Sequence, residues 1–133
     1  MPVIEGTTRL KTVQAEYDFT VDGGAVGTIT LRSVPGGDTQ GNTLPAGSVI
    51  TGGYVDVEVA ALSATGTIAL TAEGAGDIVA AVGQASWTTG RKAVIPAGTG
   101  TTSVKTTVVR SVTMTIATAV FTAGKFRVVL FYK

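Results

Sequence analysis

The longest strand-like stretch of this sequence is SVITGGYVDVEVAAL, residues 48–62. Within it Val55, Val57 and Val59 alternate with polar or charged neighbours, which is the period of a strand with one buried face. The paired glycines at positions 52 and 53 predict a bulge or bend, because glycine weakens a straight strand. We therefore expect one long strand here, kinked near its start and apolar on one side.

Similar strand patterns lie on both sides of this stretch. They cover residues 17–21, 28–34, 67–72, 103–109, 112–117 and 125–133, and glycine-rich turns separate them. Residues 77–82 are ambiguous, because Asp77 could cap a short helix and the two alanines that follow favour one. About eight short strands without a long helical pattern predict an all-β chain, an antiparallel β-sandwich of the jelly-roll kind.

Composition limits the chemistry open to this chain of 133 residues, in which charged residues make up only 14%. It has no cysteine and no histidine. Disulfides, thiolate nucleophiles and cysteine metal sites are therefore excluded, and the commonest general base is missing. We expect no enzyme activity, no cofactor and no metal.

The charge pattern also limits the partners. The formal net charge is +1, and the ten basic residues are dispersed along the chain. Binding to duplex nucleic acid needs a concentrated basic footprint, and spanning a bilayer with a helix needs about 20 apolar residues in a row. Neither pattern is present, and residues 1–5 do not begin a classical secretory signal. We therefore expect no nucleic-acid partner and no membrane.

Two pairs of carboxylates are candidates for chemistry. Asp56 and Glu58 project from the same strand face, at a spacing that glycosidases use. The alternation with buried valines already requires polar residues there, so we interpret them as a wetted surface and expect no hydrolysis that depends on them. Glu73 and Asp77 flank a glycine-rich turn that could hold Ca²⁺, but the dense ladder of a calcium loop is missing, and a loop with a helix cap at Asp77 is favoured.

The single tryptophan has two interpretations. Trp87, with Arg91 nearby in the sequence, could stack against a sugar, as in carbohydrate- or receptor-binding sandwiches. A lone tryptophan in a chain with 6% aromatic residues is more often a plug in a core or an interface. We favour the plug.

Residues 1–16 have no sustained period and predict an N-terminal arm, which leaves residues 17–133 as the sandwich domain. An extended arm of this length would reach about 50 Å. It could lie on a neighbouring subunit and add its main chain to a sheet edge. Its anchors would be Val3, Ile4, Leu10 and Val13.

The C-terminal strand departs from clean alternation. Phe126, Val128, Leu130 and Tyr132 form one apolar face, while Val129 and Phe131 place apolar side chains on the other face. A strand that is apolar on both sides is covered on both sides. We predict that Val129 and Phe131 contribute to an interface between copies of the chain.

Three segments of the sequence resemble small structural proteins of tailed bacteriophage virions. They are LPAGSVIT at 44–51 followed by YVDV at 54–57, GDIVAA at 76–81, and FTAGKFRVVLFY at 121–132. The resemblance covers about residues 44–133 and is greatest to capsid decoration (cement) proteins. It consists of turn and strand residues, so it assigns no functional residue.

The resemblance implies a location and partners. Decoration proteins are β-sandwich or jelly-roll modules, commonly homotrimers, that sit on the capsid at threefold positions and brace the shell against internal pressure. For this chain it implies a virion protein made in the host bacterial cytoplasm, bound to the major capsid protein on the outer surface. The alternatives are a phage tail or head-fibre component, and a carbohydrate- or receptor-binding sandwich.

Overall fold

The computed structural model describes residues 11–33, 42–96 and 103–132. This part of the chain contains ten strands, one turn of α-helix and one 3₁₀ turn at Gln84–Ser86. The strands are β1 (Lys11–Asp18), β2 (Gly27–Thr30), β3 (Arg32–Ser33), β4 (Val49–Leu62), β5 (Thr67–Thr71), β6 (Val79–Gly83), β7 (Gly90–Ala93), β8 (Val104–Lys105), β9 (Thr113–Ala117) and β10 (Ala123–Tyr132). The helical turn α1 is Phe19–Asp22.

The strands form two antiparallel sheets. Sheet A has the order β3-β1-β10-β4-β7, with the short β8 also paired to β4. Sheet B has the order β2-β9-β5-β6. Apolar faces of both sheets supply one buried cluster, which confirms the predicted all-β sandwich class.

The central strand of sheet A is β10. It pairs with β1 from Lys11↔Tyr132 to Asp18↔Lys125, and with β4 on its other side. Its apolar residues follow the period of two that the sequence shows, because every second side chain points into the sandwich. The inward residues of the three strands include Val13, Ala15, Tyr17, Val55, Val57, Phe126, Val128, Leu130 and Tyr132.

An aromatic stack fills the core beneath sheet A. The ring centroids of Tyr17 and Phe126 are 5.2 Å apart, and those of Trp87 and Phe126 are 4.9 Å apart. The side of sheet B is aliphatic, with buried Ile68, Leu70, Met114 and Ile116. A core built from two such faces is typical of a sandwich.

The predicted N-terminal arm does not extend over residues 11–16. Lys11–Asp18 is a full strand of sheet A, and Val13 and Ala15 are completely buried in the core. The prediction of an arm over residues 1–16, with Val13 as an anchor on a neighbour, is therefore wrong for residues 11–16. Small Ala15 carries too weak an apolar signal for the alternation to be visible. Residues 1–10, with Val3, Ile4 and Leu10, lie outside the described residues.

Two local predictions near turns are also corrected. The strand expected over residues 17–21 ends at Asp18, because the Asp18 carboxylate accepts hydrogen bonds from the Thr20 amide and hydroxyl and begins α1. Asp77 caps no helix. Its carboxylate instead accepts the amide hydrogens of Ala72, Glu73 and Gly74, closing a turn before β6.

The irregularity predicted at the paired glycines is confirmed. Phe131 pairs with Gly52, but the next residue, Tyr132, pairs with Ile50, so β4 carries an extra residue there. Gly53 has φ = 149° and lies against the carbonyl of Val129, where a side chain would collide with the backbone. Glycine is required at this position.

Asn42 holds the corner where the chain crosses from sheet B to sheet A. Its buried amide donates to the carbonyls of Leu31 and Val112, at 2.7 and 3.0 Å, and its carbonyl accepts from the Val112 amide at 2.7 Å. Since buried backbone groups need partners, Asn42 satisfies the Leu31 carbonyl and the Val112 amide, and it adds a second donor to the Val112 carbonyl, which also accepts from the Leu31 amide.

Candidate functional site

A row of alternating charges crosses the outer face of sheet A. The pairing register places Arg32 beside Glu16, Glu16 beside Arg127, Arg127 beside Asp56, and Asp56 beside Arg91. We call these five residues the charge row. Opposite charges on neighbouring strands attract each other, and Glu16 is only 8% exposed among them. The row therefore makes this face polar, with positive and negative side chains alternating across it.

The row accounts for one of the two carboxylates considered for hydrolysis. Asp56 is a member of it, while the Glu58 carboxylate lies 3.5 Å from the Lys125 ammonium. Val55 and Val57 are buried behind them, as predicted. Val59 is 48% exposed, against the prediction, because the register between β4 and β10 shifts around Lys125 and turns this end of the strand.

An aromatic patch lies on the same outer face, at the other end of β10. The rings of Tyr54 and Phe131 are 6.4 Å apart, and the Arg91 guanidinium lies 4.6 Å from the Tyr54 ring centroid. We call these three residues the aromatic patch. Phe131 lies beside Gly52, which has no side chain to cover it. Of the two predicted interface residues, Val129 is already covered by its own chain at 6% exposure, so Phe131 offers the remaining apolar surface.

An apolar groove of about 430 Å³ opens at the opposite end of the sheet, where β1 ends and β10 begins. Phe19, Val59 and Thr122 line it, with Asp18 and Lys125 among the polar residues. Other exposed apolar side chains belong to the adjoining segments: Val21 in α1, Leu62 at the end of β4, and Val120 just before β10. This concave apolar surface is a candidate interaction site.

Carboxylates outnumber cations around the groove. Lys125 lies 3.5 Å from the Glu58 carboxylate and 4.0 Å from that of Glu16. Asp18 is the third acid, and hydrogen bonds from Thr20 hold the pKa of its carboxyl below the ordinary value. Two carboxylates, Asp18 and Glu58, and one ammonium, Lys125, therefore border the groove, while Glu16 also belongs to the charge row.

The outer face of sheet B has a different chemistry. Its side chains are short and uncharged, and the Thr28 and Thr115 hydroxyl oxygens are 3.4 Å apart. The residues of this threonine face, which the pairing register aligns on three strands, are Thr28, Thr30, Thr67, Ala69, Thr71, Thr113, Thr115 and Ala117. Threonine is common in strands, and these residues form an ordinary sheet surface.

The acidic pair considered for Ca²⁺ is engaged elsewhere. The Glu73 carboxylate accepts two hydrogen bonds from the Arg110 guanidinium, at 2.9 and 3.1 Å, and two from Thr107. These bonds lower the pKa of Glu73 to about 2. The Asp77 carboxylate accepts hydrogen bonds from backbone amides. The described residues hold no cluster of three metal-ligating side chains. The arrangement ties the 103–112 segment to the end of β5.

The tryptophan is a core residue, as favoured from the sequence. Trp87 is 2% exposed and packs on Phe126, while Arg91 lies over Tyr54 instead. A surface for stacking a sugar between Trp87 and Arg91 does not exist, so that version of the carbohydrate-binding alternative is wrong. Within the described ranges, none of the helices is long and apolar enough to cross a membrane.

Comparisons with known proteins place the fold. No family model and no curated protein matches the chain. Its fold is similar to a chain in the cyanophage Pam1 capsid asymmetric unit, with 20% identity and a TM-score of 0.59, over 99% of this chain and 98% of that one. It is also similar to a chain in the acid-stable capsid of Helicobacter pylori bacteriophage KHP30, with 15% identity and a TM-score of 0.58, over 92% and 86% of the two chains. At these identities the likeness shows a shared sandwich fold.

Proposed function

We propose that this chain is a non-enzymatic structural protein of a bacteriophage virion, a decoration or cement protein that binds the outside of the capsid and stabilises the shell. The observation that carries this proposal is the match to a chain of the Pam1 capsid over nearly the whole length of both chains. A match of that extent is not one domain shared with a much larger shell protein. Small size and an all-β sandwich suit a module added to a shell.

The surface of the chain supports assembly rather than catalysis. The carboxylates of the described residues lie in the charge row, in salt bridges or on backbone amides, as Glu73 and Asp77 illustrate. Some of its exposed apolar surface lies in the apolar groove, at Val59, and in the aromatic patch, at Tyr54 and Phe131. We propose that the chain forms a homotrimer, with Phe131 in the interface, that binds the major capsid protein on the outer capsid surface.

The N-terminal segment gives a further contact in this proposal. Residues 1–10 precede Lys11, which pairs with Tyr132 at the end of sheet A farthest from the groove. Ten extended residues reach about 33 Å, enough to lie on a neighbouring subunit. Val3, Ile4 and Leu10 would anchor this segment on a neighbour or on the capsid protein.

Co-sedimentation with empty, expanded heads of the phage that encodes the chain tests the proposal. The full chain should pellet with the heads at saturation in a fixed ratio to the capsid protein, and should raise their melting temperature. A variant lacking residues 2–10 keeps all of β1, so its circular dichroism should be unchanged while its binding weakens. Binding to tails but not to heads, or no effect on head stability, would overturn the decoration role.

A further inference from the structure

A ring of three identical subunits needs two different surfaces on each subunit. Only a twofold interface joins a surface to itself; a threefold ring joins one surface to another on the next copy. The trimer of the proposed function therefore requires a second surface that complements the one around Phe131. The inference below rests on that proposed trimer.

The aromatic patch has the properties of an inserting surface. Phe131 and Tyr54 present two half-buried rings on the outer face, with the exposed Arg91 guanidinium beside them. Aromatic residues and arginine are enriched in interface centres, because they offer large contact areas with a polar group at the margin. The patch is therefore apolar with a positive margin.

The apolar groove has the opposite properties. It is concave, its Val59 side chain is 48% exposed, and the carboxylates of Asp18 and Glu58 lie at its margin beside the Lys125 ammonium. A concave apolar surface bordered by two carboxylates complements an aromatic surface bordered by a guanidinium. The threonine face offers neither charge nor large apolar side chains, so it fits the patch less well.

The aromatic patch and the apolar groove of one subunit cannot contact each other. Phe131 and Lys125 are six residues apart on β10, which is about 20 Å along a strand. The side chain of Phe131 thus lies too far from its own groove to enter it. A groove occupied by this patch must belong to another copy.

We propose that the apolar groove receives the aromatic patch of a second copy of this chain, so that Phe131 of one subunit packs on Val59 and Phe19 of the next. Arg91 then lies near the carboxylates of Asp18 and Glu58 across the interface. Each subunit offers one patch and one groove, and three such contacts close the ring.

Two single variants and their mixture test the pairing. Phe131→Glu damages the patch and Val59→Glu damages the groove; each should weaken association by about 30-fold or more, as at a hot spot. Each variant keeps one intact surface. Mixed at high concentration, the two should therefore form a 1:1 heterodimer that cannot grow, visible by analytical ultracentrifugation. If both variants remain monomers in the mixture, the pairing of patch with groove is wrong.

Charge reversal gives a second, milder test. Arg91→Glu should weaken the trimer, and adding Glu58→Arg in the same chain should restore part of the loss, because the pair is reversed across each contact. Thr115→Glu on the threonine face is the matched control and should leave the trimer intact. An equal effect of Thr115→Glu would overturn the inference.

The outcomes separate this inference from the proposed function. If wild type is a trimer and Val59→Glu is equally trimeric, the groove is not the second surface, while the decoration role stands. If wild type is a monomer both in solution and on capsids, the trimer itself is wrong.

Discussion

The outer faces of the two sheets remain compatible with water by different means. Sheet A sets residues of opposite charge side by side across five strands, from Arg32 to Arg91, and places an aromatic patch beside them. Sheet B presents short hydroxyl and methyl groups without a charge on its three aligned strands. The first face depends on the identity of each residue, because every charge has a neighbour of opposite sign. The second face consists of similar residues, so single substitutions there should cost little.

The buried faces of the two sheets also differ, and sheet A again depends more on individual residues. Beneath sheet A, Tyr17, Phe126 and Trp87 form one stack, whereas sheet B contributes separate aliphatic side chains. Burial also raises the pKa of Tyr17 to about 12, with the nearby carboxylates of Asp22 and Asp18 adding to the effect. We expect sheet A to be the more sensitive half of the molecule throughout.

The largest effect is expected from Trp87→Ala, which removes the end of the aromatic stack. Truncating a buried tryptophan costs about 4 kcal/mol through lost burial and the cavity left behind. Urea denaturation measures the loss. Trp87→Phe is the matched control: among the described residues the indole N–H has no hydrogen-bond partner, so a smaller ring should recover much of the stability. Equal losses in both variants would argue against a packing role for the ring.

Glu16→Arg should have the next largest effect. It places a third positive side chain between Arg32 and Arg127 and removes the carboxylate near Lys125. Because position 16 is 8% exposed, the unfavourable contacts are poorly screened, and we expect a loss of about 3 kcal/mol in the free energy of unfolding. High salt should reduce this loss only slightly, because salt screens buried charges weakly. A change below about 0.5 kcal/mol, typical of an ordinary surface site, would show that the charge row contributes nothing.

The hydrogen bonds between Glu73 and Arg110 should make part of the free energy of unfolding depend on pH. The pKa of Glu73 is about 2 in the folded chain against an ordinary 4.5, so its stabilising effect is complete above pH 4.5 and is lost as pH falls through 2. Glu73→Gln should therefore be less stable than wild type at pH 7, and the difference should shrink towards zero near pH 2. Denaturation midpoints at pH 7, 4 and 2.5 measure this trend; a difference independent of pH would contradict it.

The smallest effect is expected on the threonine face. Thr115→Arg adds one charge to a surface that holds none on its neighbouring strands, and the change in the free energy of unfolding should stay within about 0.5 kcal/mol. The contrast with Glu16→Arg, the same new residue on the other sheet, measures the difference between the two faces directly. Similar losses from both substitutions would remove that difference.

The sequence predicted what depends on local periodicity. Alternation identified Val55, Val57 and the inward residues of β10, and the paired glycines marked the bulge in β4. It missed β1, since Ala15 is too small to mark a buried face. It also gave no sign of the charge row, because the neighbours Glu16 and Arg127 are far apart in the chain and only the strand register brings them together. The groove leaves no local pattern in the sequence for the same reason: its lining residues come from α1, β4 and β10, which are far apart in the chain.

The pairing of β1 with β10 has a consequence for how this protein reaches its fold. The first and last described strands are neighbours, so the centre of sheet A is missing until residue 132 has left the ribosome. Until then β1 and β4 expose unpaired edges, and closing a loop of that length precedes most of the core contacts. Folding through such distant pairs is slow, on the scale of about milliseconds to seconds, and sheet A cannot be completed before β10 has been synthesised. A truncated product ending before β10 would lack the middle of its larger sheet, so an incomplete chain should not reach this fold.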